Sequence, residues 1–197
     1  MQIIGLCGRS GSGKSTFCRI AKEFGYEIID CDKVYNKLVS SRTPCLLEIA
    51  QNFGELSIKN GALNRPVLAE IVFEDSEKLA LLNKITHKHI LQEVERIIST
   101  FKNDARVILD APTLFESGAD KLCNYILGIV ADDEMCAKRI VKRDNITLEA
   151  AYKRLANQYT NEFIIENSNH VIYNLTTEQE FKSSAKRLLE TITEVQL

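Results

Sequence analysis

The chain is short of the features that mark several protein classes. No apolar run approaches the roughly 20 residues of a membrane-crossing helix, so no membrane is expected as a partner. The first residues carry no basic segment and no leader-like apolar stretch, because a glycine-rich segment begins at residue 8. Neither sign of charge is in excess: 25 Lys and Arg face 27 Asp and Glu, a net charge of −2. Such a balance offers no broad field for nucleic acid, so any anionic ligand must be held by local cations. The six cysteines form no Cys-x-x-Cys pair and no disulfide-like spacing. They read as reduced packing residues of a cytoplasmic protein. No Pro/Gly/Ser linker, repeat or low-complexity tract divides the chain. Its 197 residues suit one domain with insertions, monomeric or weakly self-associating.

What is present is concentrated near the start. Gly8-Arg9-Ser10-Gly11-Ser12-Gly13-Lys14-Ser15 is a glycine, four variable residues, then Gly-Lys-Ser. Gly11 and Gly13 let the backbone turn its N–H groups inward, together with Ser12, as a nest for phosphate oxygens. Lys14 reaches the β- and γ-phosphates, the Ser15 hydroxyl can ligate Mg²⁺, and Thr16 continues the first helical turn. A helix beginning near Lys14 aims its positive end at the same anion. A flexible Gly/Ser turn is the alternative reading. The context opposes it: residues 2–7 are an apolar run suited to a buried strand, and Phe17, Ile20, Ala21 and Phe24 recur at helical spacing.

Strand-like runs recur at residues 2–7, 27–29, 106–109, 125–130 and 171–173, with helical patterns between them. This alternation predicts an α/β chain of the P-loop NTPase type, three layers deep, with a five-stranded parallel sheet. Ligands of such sheets bind at the carboxyl ends of the strands, where the glycine loop, Asp30, Asp32, Asp110 and Asn174 all fall. A helical insertion is expected over about 41–103, with helices at 44–53, 65–73, 76–87 and 90–101 and nothing clearly strand-like. A second helical excursion over about 133–158, joined at Arg143-Asp144-Asn145, reads as a lid.

Asp32 is the candidate for the acceptor side, because a carboxylate can orient an attacking hydroxyl and take its proton. Capping of the helix near Lys33 is the competing role for Asp30 and Asp32. Arg139 and Arg143 are four residues apart and would share one helix face. Two guanidiniums there can neutralise phosphate charge; a solvated basic face is the alternative. Asp110 ends a strand and can hold Mg²⁺ directly or through water, or can be a turn aspartate before Ala111-Pro112. Arg65 can bind an anionic acceptor or lie on the surface. His87 and His89 resemble half a metal site, without the remaining ligands.

With these residues assembled, the chain resembles the dephospho-coenzyme A kinases. The resemblance runs from about residue 3 to Asn174. It rests on the glycine loop with Lys14-Ser15-Thr16, Ile29-Asp30-Cys31-Asp32, Gly61 with Leu63 and Arg65, Val72-Phe73, His87, Asp110 with Pro112, Leu114, Phe115 and Glu116, Arg139 with Arg143-Asp144, Gln158, and Val171-Ile172 with Asn174. It implies that ATP donates its γ-phosphoryl group to the ribose 3′-hydroxyl of dephospho-CoA, with Mg²⁺ on Ser15 and Asp110. It further implies Asp32 as the base and Lys14, Arg139 and Arg143 as the charge-stabilising groups. Asn174 would lie near the ATP base. Cys7, Arg65, His87, Asp110, Leu114 and Phe115 would line the acceptor site. Arg9-Ser10 stands where the family more often has Gly-Ile, and Cys7 where threonine is common. Other small-molecule kinases and nucleotide switches share the glycine loop, but no Asn-Lys-x-Asp guanine motif is present.

Overall fold

The computed structural model describes residues 1–73 and 75–194. They form two compact units, one made of residues 1–29 and the chain from residue 102 onward, the other of residues 30–101. No described helix is long and apolar enough to cross a membrane.

The first unit is built on the five expected strands: β1 (Gln2–Cys7), β2 (Glu27–Asp30), β5 (Arg106–Asp110), β6 (Tyr125–Val130) and β7 (His170–Tyr173). Their order is β2-β5-β1-β6-β7 in a parallel sheet. Apolar residues of β1, β5 and β6 are buried on both faces, as in a sheet covered on both sides. The registers place Leu6 beside Asp110 and Cys7 beside Gly128, so β1 ends next to the end of β5.

Alternation along the strands decides which layer each residue joins. Ile4, Leu6, Leu127 and Ile129 meet α1 (Lys14–Glu23) and α9 (Glu178–Glu194) on one face. Phe181, Ala185, Leu189 and Ile192 of α9 recur at helical spacing and are buried there with Phe17, Ile20 and Ala21 of α1. On the opposite face a side chain at Gly128 would run into Ile164 of α8 (Asn161–Glu166). Sequence periodicity had not singled out α8 or α9; α8 has only 6 residues, too few to show a period.

The helical pair over the 133–158 region is α6 (Asp133–Asp144) and α7 (Leu148–Ala156). Thr147 caps α7 by accepting from the Ala150 N–H at 3.2 Å. Cys136, Ala137 and Ile140 of α6 share a small core with Ala151 and Leu155 of α7.

The second unit contains α2 (Cys31–Val39), α3 (Pro44–Phe53), the strands β3 (Ile58–Lys59) and β4 (Ala62–Leu63), α4 (Arg65–Val72) and α5 (Ser76–Ile98). It begins at residue 30 rather than near 41, because Val39 of α2 is buried with Cys45, Ile49 and Phe53 of α3, Leu68 of α4 and Ile85 of α5. Two expectations need correction. The helices expected at 76–87 and 90–101 are one 23-residue helix. No Gly or Pro interrupts residues 76–98, and Ile85, Thr86 and Val94 keep one buried stripe across the expected break. The insertion also holds a hairpin, β3 paired antiparallel with β4. Its turn is Asn60-Gly61, with φ of 54° and 76°, the pair that a two-residue primed turn demands.

Phe181 fills the space between α1 and the sheet and is 2% exposed. Phe181→Ala is expected to destabilise the first unit by about 3–5 kcal/mol, read as a lowered midpoint in urea unfolding followed by circular dichroism.

Candidate functional site

The loop after β1 turns through Gly11 and Gly13, both in the left-handed region with φ of 81° and 119°. A Cβ at Gly11 would lie 2.7 Å from the Cys136 carbonyl oxygen, and one at Gly13 2.6 Å from Asn174 Nδ2. Only glycine combines that backbone with that close approach. The Ser12 N–H closes the turn on the Arg9 carbonyl at 3.1 Å. The Ser12 side chain is fully buried and its hydroxyl has no hydrogen-bond partner among the described residues.

Helix α1 leaves this loop with Gly13 at its N-cap, no side-chain cap and no acidic residue in its first turn. The Thr16 and Phe17 N–H groups close on the Gly13 carbonyl. The positive end of the helix is thus left for an outside anion. Lys14 starts the helix and donates from Nζ to the Gly8 carbonyl at 2.6 Å. Ser15 is exposed.

The loop is held by Arg139 of α6, by Gln158 beyond α7 and by Asn174 after β7. Arg139 of α6 donates to the Gly11 carbonyl at 2.9 Å and to Asn174 Oδ1 at 3.3 Å. Asn174, 3% exposed, follows β7 and donates to the Ser12 carbonyl at 2.7 Å. Gln158 bonds Ser10 twice, accepting from its N–H and donating to its hydroxyl, each at 2.9 Å. The Arg143 guanidinium pairs with Asp144, whose carboxyl Arg143 and Arg154 hold well below the usual carboxylate range. Arg139 bonds the loop directly.

Asp110 ends β5, and the Cys18 thiol of α1 points at its Oδ2 from 3.7 Å. The carboxylate therefore lies between the end of β1 and the first turns of α1. Cys7 ends β1 and is buried; its thiol faces the Leu127 carbonyl at 3.6 Å and the Ser168 hydroxyl at 3.4 Å. Burial pushes that thiol's pKa up. Leu114 is a core residue, 1% exposed. Phe115 meets Phe163 and Tyr159 edge-on, at centroid distances of 5.3 and 6.2 Å, while Tyr159 stacks on Phe163 at 3.8 Å.

Mg²⁺ requires hard oxygen ligands, and usually takes only one or two from protein when it arrives on a nucleotide. The Ser15 hydroxyl and the Asp110 carboxylate are of that kind. The buried Ser12 hydroxyl without a partner and the uncapped start of α1 fit a bound phosphate chain.

In the second unit, Asp30 is the N-cap of α2, its carboxylate accepting from the Lys33 N–H at 3.0 Å. Asp32 lies in the first turn of α2 and is exposed. Arg65 starts α4, donates to Asn36 Oδ1 at 2.7 Å, and lies 5.2 Å above the Tyr35 ring. Asn36 is four residues after Asp32, so Arg65 reaches the helix face that carries Asp32. His87 lies on α5, half-buried, with a pKa lowered by desolvation. His89 bonds Glu48 at 2.7 Å. Among the described residues no three His, Cys, Asp or Glu side chains cluster as metal ligands.

The family model described as dephospho-CoA kinase (CoaE) matches residues 2–180. The chain belongs to the dephospho-CoA kinase family. The dephospho-CoA kinase of Fusobacterium nucleatum is 38% identical over 193 residues, which cover 98% of this chain and 99% of that one. A crystal structure from Thermus thermophilus is similar at a TM-score of 0.82 with 27% identity, covering 98% of this chain and 97% of the other. The dephospho-CoA kinase of Campylobacter jejuni is similar at 0.75 with 28% identity over both full lengths. At the level of the family, the chain is a kinase that uses ATP and a small-molecule acceptor.

Reading the motifs one by one gave no role to the contacts that hold the kinase loop from behind. Arg9 counted as a departure, and Gln158 entered only through the resemblance. Tyr159 and Phe163, four residues apart, carried the one available signal for the aromatic cluster.

Gly11→Ala is expected to weaken ADP binding roughly 10-fold or more, because a left-handed alanine costs about 1–2 kcal/mol before any clash with Cys136. Isothermal titration calorimetry reads this directly; unchanged affinity would take the glycine loop out of nucleotide binding.

Proposed function

We propose that this chain transfers the γ-phosphoryl group of ATP to the ribose 3′-hydroxyl of dephospho-CoA, giving coenzyme A and ADP. The observation that carries the reading is the family match over residues 2–180, which includes a glycine loop opening on an uncapped helix start. The comparisons supply the acceptor's name; the loop supplies the chemistry.

Phosphoryl transfer asks for little covalent chemistry from the protein. It needs in-line positioning and stabilisation of charge on the transferring group. In this proposal the N–H groups of the glycine loop and the start of α1 hold the β- and γ-phosphates. Lys14 leaves the Gly8 carbonyl to lie along them. Arg139, already at the loop, faces the transferring group, and Arg143 joins it as α6 and α7 act as a lid. Mg²⁺, when bound, would be held by Ser15 and Asp110 and would neutralise phosphate charge. Asn174 lies near the adenine.

On the acceptor side, Asp32 orients the 3′-hydroxyl and takes its proton as the oxygen attacks phosphorus. Cys7, Arg65, His87, Asp110, Leu114 and Phe115 are the further acceptor-binding residues of this proposal. Exclusion of water then matters, because water competes as an acceptor. The six free cysteines suit a reducing compartment such as the cytoplasm.

The deciding experiment measures ADP release from Mg·ATP with and without dephospho-CoA, and identifies the product by mass. A strong dependence on acceptor and a product one phosphate heavier are expected. ATP binding without such stimulation would overturn the acceptor. Asp32→Asn is expected to keep ATP affinity while lowering transfer at least roughly 100-fold, the usual contribution of a general base. Near-normal transfer by this variant would remove Asp32 from the mechanism.

A further inference from the structure

Arg9 is a cation inside the glycine loop, yet both of its terminal nitrogens are bonded to protein. The side chain is 8% exposed. One terminal nitrogen pairs with the Asp133 carboxylate at the start of α6, and the other donates to the Leu155 carbonyl at 2.6 Å, in the last turn of α7. Both sites suit the pair. Acidic Asp133 occupies the positive end of α6, and the guanidinium occupies the negative end of α7. The Arg9 Nε is buried and has no hydrogen-bond partner among the described residues; the two terminal contacts hold the group.

This grip begins a series. Arg9 is tied to Asp133 and Leu155, Ser10 to Gln158, and Gly11 to Arg139. Three consecutive loop residues are thus held by α6, by α7 and by Gln158 two residues beyond α7, and the two helices share the core of Ala137, Ile140, Ala151 and Leu155. Arg139 stands six residues after Asp133 on the same helix. Whatever sets the start of α6 therefore sets where Arg139 meets the loop.

We infer that Arg9 is a positioning residue: it locks α6 and α7 onto the glycine loop so that Arg139 is already in place for the transferring phosphoryl group. Its charge is matched by Asp133 and does not serve as a phosphate ligand. The kinetic arm of the test rests on the phosphoryl-transfer reading above; the structural arm does not. A misplacement of about 1 Å in a catalytic group can lower a rate by roughly 100-fold. Arg9→Met is accordingly expected to lower kcat about 10- to 100-fold, with less than about a threefold change in the KM for ATP. Asp133→Asn, at a half-exposed position, is expected to reproduce the loss in weaker form. Arg9→Lys, which keeps one of the two contacts, is expected to recover part of it.

The deciding comparison is a double-mutant cycle. If Arg9 acts through Arg139, Arg9→Met in an Arg139→Ala background costs less than about threefold further, because coupled residues do not add. Independent, multiplying losses would overturn the inference. So would an Arg9→Met variant whose KM rises while kcat holds, since that marks a direct nucleotide ligand. A lowered melting temperature with unchanged kcat would overturn it too, as a purely structural role.

Hydrogen exchange supplies the structural arm and covers the case in which Arg9→Met does not fold. Asp133→Asn without nucleotide is expected to exchange faster across residues 133–156, while the amides of β1 and β5 stay protected. Unchanged exchange in α6 and α7 would overturn the lock. Should the wild-type protein fail to phosphorylate dephospho-CoA, the functional reading falls and the exchange result still decides this one.

Discussion

The uncapped beginning of α1 is the constraint on which the rest of the first unit depends. A helix start leaves N–H groups without intrahelical partners, and most chains satisfy them with a Ser, Thr, Asp or Asn side chain. Here the N-cap is Gly13, and no acid lies in the first turn. The surrounding sequence is arranged so that those groups stay available. Glycine permits the turn, β1 fixes where the loop begins, and the packing of Phe17, Ile20 and Ala21 against the sheet fixes where the helix points. By contrast, α2, α3, α5, α7 and α8 each have a side chain that accepts a backbone N–H at the start. Helices α4 and α6 lack one too, but α4 has a proline in its first turn and α6 has Asp133 and Glu134.

The cations around this loop divide by partner. Lys14 and Arg139 rest on backbone carbonyls of the loop itself, partners a phosphate oxygen can replace because a charged acceptor binds more strongly than a neutral one. Arg9 rests on a carboxylate and a helix-end carbonyl and is buried. Breaking that pair leaves a buried guanidinium without its counter-charge, so Arg9 is not readily exchanged onto a ligand. Neighbouring cations in one short segment thus take different duties, one kind mobile and the other fixed.

Much of this was legible in the chain. All five strands of the sheet fell where strand-like runs of three to six residues stood between helical patterns, because buried parallel strands leave that mark. The glycine loop and the helices at 44–53 and 65–73 were equally plain, the second ending at Val72, while the cap of α2, open between Asp30 and Asp32 in the sequence, is Asp30. The Asn60-Gly61 hairpin was legible and overlooked, since two-residue strands are too short to show alternation and only the turn identifies them. The break expected within α5 falls at two polar residues, Lys88 and His89. A long helix tolerates such residues when its buried stripe continues on either side.

By itself, the sequence determined the fold class, the phosphate loop and the family, because each is encoded in local order: periodicity, glycine spacing and consecutive motif residues. Tertiary structure alone decided which cations face the loop. Arg139 and Arg143 are equivalent on the helix wheel, yet one reaches Gly11 and Asn174 while the other closes on Asp144 and its neighbourhood of arginines. Likewise Arg9 sits among the phosphate-binding residues in order, yet is bound to Asp133, 124 residues away, and to Leu155, 146 residues away. Partners so distant along the chain are chosen by how the helices pack on the sheet, and no local pattern records that choice.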